Sequence, residues 1–198
     1  PYEVLHNNVL SFNDILRIKQ AEDILEKYWN KHRMDETVKY LAFHCFETPF
    51  DFFQRFGAYW EERGWQKIGH QLEDLFVRLY EFLQFEQVEN LDIIFCLMKF
   101  DYLSGQRFKP RKVWWEKDIN KEERVKLYHR LQKQTLPEVF SNFTERDWMK
   151  QVFITSSPID LLHFKETGEI LPQAHILLFH YDGIGNCIYY QLKDISSD

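Results

Sequence analysis

The sequence predicts a mainly α fold: a bundle of about six helices followed by a small C-terminal antiparallel sheet, an α+β arrangement. Three observations lead there. Apolar residues recur at three- and four-residue steps through the first hundred positions, as an amphipathic helix requires. The pattern breaks between Gln106 and Glu116, where Pro110 forbids a continuous helix. Beyond Phe143 the residues become β-branched and aromatic, with Asp182-Gly183-Ile184-Gly185 as a hairpin signal.

The first helix starts behind Ser11, which forms a capping box with Asp14, the shorter Asp replacing the usual Glu. Phe12, Ile15, Leu16, Ala21, Ile24, Leu25 and Tyr28 define its apolar face. A second helix is expected from Asp35 to Phe46, with Val38, Leu41, Ala42 and Cys45 inward. Thr48-Pro49-Phe50-Asp51 starts the third: Thr48 caps, Pro49 suits the first helical position, and Asp51 meets the positive end of the dipole. Phe53, Phe56 and Trp60 point inward there, and Gly64 closes it. Leu72, Leu75, Phe76, Leu79, Tyr80 and Leu83 mark a fourth helix. A fifth runs from Asn90 through Ile94, Leu97 and Met98 towards Gly105.

Asn120-Lys121-Glu122-Glu123 caps a sixth helix carrying Val125, Leu127, Tyr128 and Leu131. Lys150 to Thr155 reads as a strand, and Ser157 to Asp160 opens a short helix that Gly168 ends. His175–Tyr181 and Asn186–Leu192 read as the hairpin strands. The organisation expected is one excised domain, residues 1–198, divisible into a bundle (1–105), a basic linker (106–117) and an α+β part (118–198).

Composition narrows the function. Aromatic residues reach 17%, and their bulk is expected to fill a core. Charged residues break every long apolar run before the ~20 residues that cross a bilayer. Cys45, Cys96 and Cys187 are odd in number and far apart, which argues for a reducing, cytoplasmic setting and against a disulfide scaffold. The start at Pro1, with neither an initiator Met nor a signal peptide before a strong helix, leads us to expect a piece of a larger protein.

No catalytic, cofactor-binding or metal-ligating set is visible. Eight His include no HxH and no HExxH, and there is no CxxC, GxSxG or GxGxxG. His175 and His180 differ by an odd number in a strand, so they are expected on opposite faces. Charge is uneven, however. The chain is -6 overall, yet residues 107–133 hold ten Lys/Arg against four acids. Arg107, Lys109, Arg111, Lys112, Trp114 and Trp115 are therefore the candidate contacts to an anionic partner, with cations for phosphates and indoles for stacking. An RNA- or polyanion-binding module is one function these residues would serve. The alternative is a solvated helix and a linker whose two Trp plug the bundle.

A second reading comes from likeness to other proteins. The run Pro1–Asn30, Thr48-Pro49-Phe50-Asp51-Phe52-Phe53, and Phe100-Asp101-Tyr102-Leu103 before a basic stretch resemble one known domain, over roughly residues 1–115. It is the C-terminal domain of uncharacterised function in cobalamin-dependent radical SAM proteins. The resemblance implies a parent with a cobalamin-binding domain and a radical SAM barrel, using a [4Fe-4S] cluster, S-adenosylmethionine and cobalamin. It implies a non-catalytic accessory role here, recognising substrate or capping the barrel mouth. The cluster motif CxxxCxxC is absent from this sequence, so no cofactor residue carries over to any position.

Overall fold

The computed structural model describes residues 10–116, 119–133 and 136–193. The first nine residues of the resembling run, and Lys117 and Asp118 of the basic segment, lie outside these. The architecture is α+β: eight α-helices among the described residues and a three-stranded antiparallel sheet at the C-terminal end. The chain packs as two compact units, Pro1–Asp101 and Tyr102–Asp198.

In the first unit, α1 (Phe12–Ile24) begins at the anticipated capping box: Ser11 Oγ accepts from Asp14 N, and the Asp14 carboxylate accepts from Ser11 N. The helix then widens into a π-helical turn, Leu25–Trp29. α2 (Asp35–Tyr40) does the same through Leu41–Cys45. Each had been expected as one uninterrupted α-helix. A π turn shifts the facing of the residues after it. Val38, Leu41 and Ala42 are buried as anticipated, whereas Cys45 is only half-buried. Phe12 and Leu16, expected inward, stand exposed, because burial on α1 begins at Ala21.

α3 (Pro49–Glu62) starts as its sequence signal demands, with Thr48 Oγ1 accepting from Asp51 N at 3.0 Å. It meets α1 at Gly57, where a Cβ would stand 2.4 Å from the Gln20 carbonyl oxygen. Only glycine allows the two backbones this close. α4 (Leu72–Phe85) follows the left-handed Gly64, and α5 spans Leu91–Ser104. The aromatic surplus fills the interior: Phe56 stacks on Phe82 at 4.5 Å and tilts against Tyr28 at 4.9 Å. Tyr28 is fully buried, and its hydroxyl donates to the Leu75 carbonyl at 2.9 Å, which makes that burial affordable.

In the second unit, α6 (Lys121–Leu131) is capped by Asn120 and Glu123 reciprocally, each accepting from the other's backbone N–H at 2.9 Å. α7 (Glu145–Gln151) had no counterpart in the sequence reading, which began a strand at Lys150. Its cause is a further capping box, Thr144 with Asp147, and the burial of Trp148. The strand β1 (Val152–Ser157) therefore starts two residues later than anticipated. α8 (Leu161–Thr167) lies between the Asp160 cap and left-handed Gly168. β2 (His175–Tyr181) and β3 (Cys187–Lys193) complete the sheet in the order β1-β2-β3.

Register explains the packing. Val152 pairs with His180, Ile154 with Leu178, and Leu178 with Tyr190. Alternation thus puts Val152, Ile154, Ile176 and Leu178 on one face, where they form a core with Leu127, Leu131, Phe140 and Trp148. Phe153, Leu177, Phe179 and Tyr181 take the other face, with Trp115 beside Phe153 at 6.2 Å. β2 is consequently buried along its whole length.

Candidate anion-binding cleft

The segment expected as a basic linker is built into the second unit, and aromatic packing holds it there. Trp115 is only 8% exposed, edge-on to Tyr102 at 5.5 Å. Trp114 is half-buried, edge-on to Trp115 at 5.3 Å. Trp115 is therefore a packing residue with little exposed surface. The anchored indoles leave Arg107 to Arg111 running past the end of α7. There the Lys109 ammonium donates to the Met149 carbonyl at 2.6 Å. A cation suits that position, since the last carbonyls of a helix are unpaired and carry its negative pole.

The result is a cleft of about 530 Å³ lined by Phe108, Lys109, Pro110, Arg111, Met149 and Lys150, among others. Arg124 from the first turn of α6, Phe153, Tyr181 and Gly183 complete much of the wall. Among the described residues four cations line it, from the loop, α6 and α7, and no Asp or Glu does. Arg124 adds a sharper feature. Its Nε is buried and has no hydrogen-bond partner among the described residues. A buried donor without an acceptor costs about 1–3 kcal/mol, so an acceptor entering the cleft would relieve it.

The hairpin loop shapes one side. Asp182 Oδ1 accepts from the backbone N–H groups of Asn186, Ile184 and Gly185 at 2.9–3.1 Å. Those donors, Asn186 first, hold its carboxyl down at about 2. Gly183 takes φ +80° beside the cleft. At Gly185, φ +115°, a Cβ would lie 3.1 Å from the Arg107 guanidinium. Arg107 thus lies against the hairpin loop.

Of the six residues singled out in the sequence, Lys109 and Arg111 line the cleft; Arg107, Lys112, Trp114 and Trp115 do not. Arg124 had been counted in the basic segment without being singled out. Lys150 lies outside that segment altogether, and only the turn from α7 into β1 brings it to the cleft.

Elsewhere the titratable groups read as structural. Burial pushes the Cys45 and Cys187 thiols up to about 11, the opposite of nucleophile activation. His180 lies between Phe140 and Phe143 on the face opposite His175, whose Nδ1 is 2.7 Å from the Gln173 carbonyl. Among the described residues no group of three or more His, Cys, Asp or Glu stands ready for a metal ion. No described helix is long and apolar enough to cross a membrane.

Neither the curated proteins nor the solved structures contain a match to this chain. One family model does match, that of a protein of unknown function (DUF4080), over residues 1–179, and the chain belongs to that family.

Proposed function

We propose that this chain is a non-catalytic recognition domain that holds an anionic group in the cleft of its second unit. The observation that carries the reading is the convergence of Lys109, Arg111, Arg124 and Lys150 on one cavity that no Asp or Glu lines among the described residues. The buried Arg124 Nε, which has no hydrogen-bond partner among the described residues, adds a donor for an anion entering there.

The parent we propose is a cobalamin-dependent radical SAM enzyme of a reducing, cytoplasmic setting. The segment likenesses at Pro1–Asn30, Thr48–Phe53 and Phe100–Leu103 support it, as do the three free cysteines. The cluster, S-adenosylmethionine and cobalamin would belong to the barrel and cobalamin-binding domain of that parent. This domain would present the substrate or cap the barrel mouth.

Calorimetric titration with inorganic pyrophosphate at two ionic strengths tests the cleft. Affinity should weaken with salt and drop about tenfold or more in an Arg124→Ala/Lys150→Ala variant, from the loss of two charge-assisted contacts. Absence of binding at low salt would remove the reading. S-adenosylmethionine and cobalamin should give no heat with this chain, and the proposed parent should carry a CxxxCxxC motif.

A further inference from the structure

We infer that the cleft takes a small phosphorylated molecule with an apolar or aromatic body, rather than a nucleic-acid strand. This deepens the proposed function and rests on it.

The size of the cleft suits a small molecule. A cavity of about 530 Å³ falls within the ~300–1,000 Å³ typical of small-molecule sites. Four cations line the space and no Asp or Glu does among the described residues, so a dianionic phosphate matches that charge better than a monoanionic carboxylate does. Arg124 and Arg111 bring guanidinium forks that match phosphate oxygens, and the buried Arg124 Nε has a hydrogen to give.

Apolar surface lies between the charges. Phe108 lines the cleft while 57% exposed, a large aromatic left facing water beside Pro110, Met149, Phe153 and Tyr181. A ligand that is only a phosphate would leave that surface wet. One with a ring or an alkyl body would cover it.

Recognition of a strand asks for different features. Single-stranded nucleic acid is gripped by successive aromatic platforms along a basic groove. Here Trp115 is packed away, Trp114 is half-buried against it, and Arg107 and Lys112 are not in the cleft wall. Phe108 alone in the segment 107–115 offers a well-exposed ring.

Titrating the 198-residue chain at one ionic strength with inorganic phosphate, phenyl phosphate and a single-stranded RNA dodecamer separates the possibilities. Phenyl phosphate should bind about tenfold tighter than inorganic phosphate, through its ring's contact with Phe108. In Phe108→Ala that advantage should disappear while inorganic phosphate binds as before; Phe108 is exposed, so the variant folds. Arg124→Ala should weaken both ligands. Equal affinity for phosphate and phenyl phosphate would overturn the apolar body yet leave the anion reading standing. RNA binding that fails in Arg107→Ala/Lys112→Ala, with neither phosphate bound, would overturn the inference in favour of a strand. If no probe binds, both the inference and the reading beneath it fall.

Discussion

Asp101 caps the start of α2 from 64 residues away in the chain: its Oδ2 accepts from the Thr37 backbone N–H at 2.8 Å and from the Thr37 hydroxyl at 2.7 Å. Met34, in the capping position of α2, offers no side-chain oxygen, so a carboxylate from α5 supplies what the local sequence lacks. Asp101 is buried, and this pushes its carboxyl up to about 7, against the opposing pull of the Thr37 and Glu36 donors.

The pH consequence has a definite sign. Asp101 binds its proton more tightly folded than unfolded, where 3.8 is its ordinary value. Its contribution to the first unit's stability is therefore greatest at acid pH and is lost as pH rises from about 4 to about 7. Chemical denaturation of the wild type and Asp101→Asn across that range should show this slope only in the wild type. Parallel curves would refute it. Asp101→Ala strands two buried donors at Thr37 and should cost about 2 kcal/mol or more at neutral pH.

His180 titrates in the opposite sense. Burial between Phe140 and Phe143 depresses its folded value below the ordinary 6.5, with Asp182 opposing weakly. The stability it supplies is present above pH 6.5 and is lost as pH falls, because the unfolded chain takes up the proton first. A shallower pH dependence between pH 7 and pH 5 is expected for His180→Gln, followed by near-UV circular dichroism. An unchanged profile would count against a neutral buried imidazole.

Gly57 sets the approach of α1 to α3. A methyl group there would meet the Gln20 carbonyl carbon at 2.6 Å and its oxygen at 2.4 Å, and backbone cannot swing aside as a side-chain end can. Gly57→Ala should lower stability by about 1–3 kcal/mol despite the better helix propensity of alanine. A rise in the melting temperature would show that the helices separate freely.

Trp115 distinguishes packing from ligand contact. Trp115→Ala should destabilise the second unit by about 3–5 kcal/mol, as a large cavity in a core does. Trp115→Phe should fold and bind pyrophosphate as the wild type does. Loss of binding in a folded Trp115→Phe protein would return the indole to the candidate site.

Much of the first unit was legible because its signals are local. Thr48-Pro49-Phe50-Asp51 carries its own cap, first-turn proline and dipole partner within four residues, and α3 begins there. Leu75, Phe76, Leu79 and Leu83 announced a face that is buried. The π turns at Leu25–Trp29 and Leu41–Cys45 were not legible, since each lies at its helix's C-terminal end, where too few residues follow to reveal a change of phase. α7 was missed for another reason: seven residues are too few to show a period, although Thr144 and Asp147 carried its cap.

The cleft divides along the same line. By itself the sequence determined the helical first part, the hairpin at Asp182, and a charge excess that includes Lys109, Arg111 and Arg124, because composition and short spacings specify these directly. Only the tertiary structure decided that Trp115 turns inward, that Lys150 joins those cations, and that Arg107 leaves them for Gly185. Those outcomes depend on which side chains compete for buried space between elements far apart in the chain, and no local pattern encodes that competition.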